Sequence, residues 1–149
     1  MPKATIIKRA RRDERQGKAP STQASEFVRE EIEDVRKGKH GVRSTKQAIA
    51  IGLSKARRAG VKLAAPKAGR ASSAVRKKAE QDLAKGKAKP KPVSRKRSQA
   101  TLGALKKEST AGASQAALSK QTRTAAKRRK PTERSASARK AARTRARNK

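Results

Sequence analysis

The sequence has no cysteine, tryptophan or tyrosine, one phenylalanine, one histidine and only 11 acidic residues among 149. Absent cysteine excludes a disulfide framework and thiolate zinc sites. The single histidine, His40, lies in the turn Gly38-Lys-His-Gly41 and reads as a loop residue, not a catalyst or ligand. That turn is neither a phosphate-binding loop nor a dinucleotide fingerprint. The acids clustered between Glu26 and Asp34 lack calcium-loop spacing, and no base is read beside any Ser or Thr. These gaps predict a protein that is not an enzyme and takes no metal or cofactor. Scarce aromatics remove the stacking platforms used by single-strand and RNA modules. No apolar run can span a bilayer, and Ala4–Ile7 is too short for a signal peptide, so a soluble, cytoplasmic protein with no membrane partner is expected.

Positive charge is what the chain has in excess. Forty-four Lys and Arg give a formal net charge of +33, and a chain this basic repels itself until an anionic partner neutralises it. Nucleic acid is the partner this balance points to. The charge is uneven: residues 1–65 carry 17 basic and 7 acidic side chains, residues 66–149 carry 27 and 4. Large apolar residues divide the other way, ten between Ser25 and Leu63 against six in all of 66–149. Both counts place a boundary near Ala65-Pro66.

Within the first part the clearest element runs from Ser44 to Gly60. Ser44 suits an N-cap, with Gln47 three residues on to reach back. Ile49, Leu53 and Ala56 lay one apolar stripe, Arg57 and Arg58 sit in the last turn, and Gly60 with Val61 suits a Schellman ending. Upstream, Ala24, Phe27 or Val28, Ile32 and Val35 mark the buried side of a partner helix that Gly38 stops. Gly52 lies where the two helices pack; it is either a site of close approach, with Phe27 opposite, or merely tolerated. A basic helix precedes them, with Ile6, Ile7 and Ala10 on one face and Gly17 as its end. The expected helices span 3–16, 22–37 and 45–59. So small a core is expected to lean on the first helix, a second copy or a ligand.

From Pro66 onward the composition is Lys, Arg, Ala, Ser, Thr and Pro. Helical propensity is present there without hydrophobic drive. Ser73–Lys85, Gln99–Glu108, Ser114–Arg129 and Glu133–Arg147 have helical potential, and Lys87–Arg97 reads as an extended, Pro-broken linker. The fold expectation is all-α: a short helical unit over 1–65, then a long, largely disordered basic tail with transient helices over 66–149. Glu26, Glu30, Glu31, Glu33 and Asp34, five of the 11 acids, form either a solvated face or a dock for basic groups from the first helix, from Arg57 and Arg58, or from the tail. A second copy or another protein is a further candidate for that face.

The basic first helix, the run Ser21-Thr-Gln-Ala-Ser-Glu-Phe-Val-Arg-Glu-Glu-Ile32 and the run Arg43–Gly60 together resemble a family of small basic bacterial proteins of unknown function. Members are sometimes labelled histone-like or plasmid-stabilisation proteins. The resemblance covers about residues 1–65, with Lys46–Gly60 its specific part. It implies a bacterial source and a short helical unit, and no established activity. The tail resembles, in composition, linker-histone tails.

The functional expectation is sequence-tolerant, electrostatic binding of duplex DNA by a histone-like, nucleoid-associated protein. Contacts are expected from Arg9, Arg11, Arg12 and Arg15 on the first helix and from Lys46, Lys55, Arg57 and Arg58 on the third. The tail would add Arg76, Lys77 and Lys78; Arg95, Lys96 and Arg97; and Lys127, Arg128, Arg129 and Lys130. Arg139, Lys140, Arg143, Arg145 and Arg147 complete the set. Base readout by the second and third helices as a helix-turn-helix would use Arg43, Lys46, Gln47 and Lys55. Two alternatives share the composition: an RNA- or ribosome-associated basic protein, and an interaction protein whose acidic helix binds a partner while the tail tethers it to nucleic acid.

Overall fold

A computed structural model describes residues 2–88, 92 and 94–147. Among them the chain is helical without strands: α1 (Ala4–Arg15), α2 (Pro20–Arg36), α3 (Thr45–Arg58), α4 (Ser73–Lys87), α5 (Arg95–Lys106), a 3₁₀ turn (Ala111–Ala113), α6 (Gln115–Lys127) and α7 (Pro131–Arg147).

Helix α3 is the hub, lying against α2, α4, α6 and the 3₁₀ turn. Ser44 caps it by accepting a hydrogen bond from the Gln47 amide at 3.3 Å. The Gln47 side chain reaches back one residue further than a capping box does, its Oε1 accepting from the Arg43 N–H at 2.8 Å. At the other end Val61 N–H donates to Ala56 O and Gly60 N–H to Arg57 O, both at 3.1 Å, the paired bonds of a Schellman ending. Gly60 takes the left-handed conformation this ending requires (φ +97°).

The stripe expected at Ile49, Leu53 and Ala56 holds only in part. The buried face of α3 is Thr45, Ala48, Gly52, Ala56 and Arg57, with Leu53 half-buried at its side. Small residues win because α3 is approached from several directions. A Cβ on Gly52 would lie 2.6 Å from Val28 Cα, so the close approach of α2 is real and falls at Val28. On another side, a Cβ on Gly86 of α4 would collide with the Arg57 carbonyl oxygen.

The α2–α3 hairpin holds two small cores. One gathers Ile6, Ala10, Ala24, Phe27, Ala56 and Val61, with Ile7, Leu53 and Leu63 against it. The other gathers Val35, Val42, Ala48 and Ala113, with Ile32 and Ile51. Ala113 comes from far along the chain and is fully buried.

The expectation of a largely disordered tail is thereby corrected. Four α-helices occupy the described part of 73–147. Three begin at a serine cap: Ser72, Ser94 and Ser114 accept from the Val75, Arg97 and Ala117 amides. Proline opens the fourth, where its missing N–H costs nothing. The tail also docks through backbone and polar atoms. Gly41 and Val42 N–H groups donate to Leu105 O and Ser109 O at 2.9 Å each. Thr45 Oγ1 donates to Gly112 O at 2.6 Å, and Arg36 Nε to Ala113 O at 2.8 Å. A count of large apolar residues is blind to such contacts. Of the expected linker, Lys89, Pro90, Lys91 and Val93 lie outside the described residues.

Candidate nucleic-acid interface

The acidic face of α2 turns partly inward, with Glu33 left exposed and Glu26 and Asp34 half-buried. Glu30 and Glu31 are buried, and each meets a cation brought by another element. Glu30 Oε1 accepts from the Lys3 backbone N–H at 3.1 Å, so a carboxylate from α2 caps the N-terminus of α1 where the helix dipole is positive. Lys3 Nζ lies 3.7 Å from Glu30 and 3.5 Å from Asp34, and Arg9 lies 3.7 Å from Glu26. Glu31, fully buried, accepts from Lys55 Nζ at 2.6 Å and faces His40 Nε2 at 3.3 Å. His40 thus stands beside an acid that the spacing did not reveal. Burial alone would raise the Asp34 carboxyl, but the Lys39 hydrogen bond and the charges of Lys3, Lys39 and Lys55 outweigh it and hold it below its ordinary value.

Two arginines of α3 are likewise committed. Arg57 is buried and donates to Leu63 O at 3.0 Å and Ala64 O at 3.2 Å, tying the chain beyond Gly60 back onto the helix. Burial lowers its guanidinium from the ordinary value, with the charge of Asp82 opposing. Arg58 Nε donates to Asp82 Oδ1 at 2.7 Å, and Ser54 Oγ donates to Asp82 Oδ2 at 2.6 Å. Asp82 is the latch of α4. Burial pushes its carboxyl up, yet Ser54, Arg58 and Lys78 together hold it below 3.8.

The anticipated phosphate contacts therefore separate. Lys55 and Arg57 serve the interior, and Arg9 and Arg58 keep about half of their side-chain surface while paired to acids. Arg11, Arg12, Arg15, Lys46, Lys77 and Lys78 are exposed, and Arg76 is half-buried. Arg95, Lys96, Arg97, Lys127, Arg128, Arg129, Lys130, Arg139, Lys140, Arg143 and Arg145 are exposed too. Arg147, also exposed, donates to Gln16 O at 3.4 Å and Gly17 O at 3.3 Å, bringing positive charge to the C-terminal end of α1. With Gln47 and Lys55 engaged internally, the helix-turn-helix reading loses two of its four readers.

The fold brings Lys46, Arg128 and Arg129 together around an open cleft of about 640 Å³. Arg70, which composition did not single out, lines it as well. Beside it a second concavity of about 480 Å³ is lined by Lys120, Arg123 and Lys127. The spacing of three and four residues between these cations is the signal that would have found Lys120 and Arg123.

Among the described residues no group of three or more His, Asp or Glu is placed to hold a metal ion, and no helix is long and apolar enough to cross a membrane. No curated protein and no solved structure matches the chain. Residues 15–68, which take in α2, α3 and their connector but none of α4 to α7, match DUF6496, a family of unknown function.

Proposed function

We propose that the protein binds duplex DNA through its phosphates with little regard to sequence, as a histone-like, nucleoid-associated protein does. The observation that carries this reading is where charge remains unspent. Among the described residues eight carboxylates lie within ion-pair distance of Lys or Arg side chains, most of them inside the α1–α4 assembly. By contrast, residues 95–147 carry 17 Lys and Arg against two acids, Glu108 and Glu133. Helices α5, α6 and α7 bury no residue. Cations held exposed at this density release counterions from a phosphate backbone and gain affinity by doing so.

Duplex is favoured over single strands by the fate of the one aromatic side chain. Phe27 is fully buried, the chain has no Trp or Tyr, and the His40 ring is turned against Glu31, so no ring stands out to stack an unpaired base. Competition binding tests the reading: duplex DNA should displace a labelled duplex at lower concentration than a single strand of equal length. Structured RNA displacing it more effectively than DNA would favour an RNA-associated role and contradict the proposal.

A further inference from the structure

The geometry points to the cleft between the start of α3, the turn at Gly69-Arg70 and α6 as the place where a run of backbone phosphates lies, an inference that rests on the nucleic-acid reading above. Three segments far apart in sequence deliver its cations: Lys46 from α3, Arg70 from the turn, and Arg128 and Arg129 from the end of α6. The cleft therefore exists only when the tail is docked, unlike a flexible polycation that binds phosphates anywhere along its length.

Like charges gathered in one concavity repel, and walls of low dielectric focus their field outward. Among the described residues only Arg70 of the four has a carboxylate partner, Glu133 at 3.2 Å. Arg129 donates instead to the Glu133 carbonyl and to Ser137 Oγ, which fixes its guanidinium without neutralising it. An anion entering the cleft relieves that repulsion. Its lining, with Gln121 and Thr124 among the cations, offers polar donors and no aromatic face, whereas small-ligand pockets are mostly apolar. A nucleobase would find nothing to stack on, and a phosphate would find several donors.

The ligand is an extended chain because the site is. Thr124 lines both this cleft and the adjoining concavity of Lys120, Arg123 and Lys127, so one cationic track runs along α6 and ends against α3. Successive phosphates of one strand fit such a track; a single phosphate would use a fraction of it.

The test compares two full-length triple variants that remove equal charge: Lys46→Gln with Arg128→Gln and Arg129→Gln, against Arg139→Gln with Arg143→Gln and Arg145→Gln on α7. Affinity for a duplex is measured across salt, and binding of tripolyphosphate is measured by calorimetry. The cleft variant should weaken duplex binding at least about tenfold more than the α7 variant and lower the salt slope by about 2–3, near 0.9 for each phosphate no longer neutralised. Glu133→Gln, which releases Arg70, should strengthen binding. Equal losses from both triples would overturn the cleft while leaving phosphate binding in place. No loss from either would overturn both. Tripolyphosphate held as tightly as the duplex would make the site one for free oligophosphate and overturn the backbone assignment.

Discussion

Helices α4 and α5 are drawn from the same kind of sequence, rich in Ala and Lys and opened by a serine cap, yet they have different fates. The α4 helix docks on α3 through Asp82, Ala79 and the bare backbone of Gly86. The α5 helix buries nothing along its length, and among the described residues its backbone bond to the rest of the fold is the one Leu105 O accepts from Gly41 N–H. Docking of α4 is decided by a single acid and by the small residues around it, and hydrophobic content does not predict it. The same economy explains the charges: acids sit where they hold helices together, and the helices without them are left wholly cationic.

Substitutions can break this contrast at several levels. The largest effect is expected from Phe27→Ala, which empties the centre of one core and should cost about 3–5 kcal/mol. Cooperative thermal unfolding of α1–α3 should disappear while α7 keeps its helical signal. An unchanged transition would mean that Phe27 does not hold the hairpin.

Asp82→Ala comes next. It strips Ser54 and Arg58 of their shared acceptor and should cost about 3 kcal/mol, read as faster hydrogen exchange along α4. Acid should do the same reversibly. Because the folded carboxyl sits below 3.8, its contribution is complete above that value and fades as pH falls through the lowered one. Exchange in α4 that ignores both the substitution and acid would remove the latch.

The contrast sharpens with two glycines. Gly52→Ala places a Cβ against Val28 Cα and should destabilise by about 1–3 kcal/mol. Gly103→Ala, inside α5 with open space around it, should instead add helicity worth about 0.8–1 kcal/mol locally and leave the cooperative transition alone. Matching effects at the two positions would erase the distinction between docked and undocked helices.

Much of the hairpin was legible in the chain because caps and stops are local. Ser44, Gly38 and Gly60 act where their neighbours in sequence imply, and Gly38 closes α2 with Lys39 N–H on Asp34 O at 3.1 Å. The tail helices were legible as propensity and not as order, since their docking depends on partners distant in sequence: Ala113 on Val42 and Ala48, Asp82 on Arg58. The same distance left the acidic face undecided between a solvated surface and a dock for the first helix, which Lys3 and Arg9 supply. Nothing local tells that Glu30 will cap α1 or that Glu31 will meet Lys55 and His40. Of the candidate interface, charge density could be read, while the convergence of Lys46, Arg70 and Arg128 could not.

The most direct test of the account is the salt dependence of full-length protein binding to two duplexes of equal length and unrelated sequence. Log affinity should fall linearly with log salt, with one steep slope of about −0.9 per phosphate neutralised and nearly equal affinities at every salt concentration. Affinity that resists salt, or one duplex preferred about a thousandfold, would show that specific contacts and not exposed cations carry the binding.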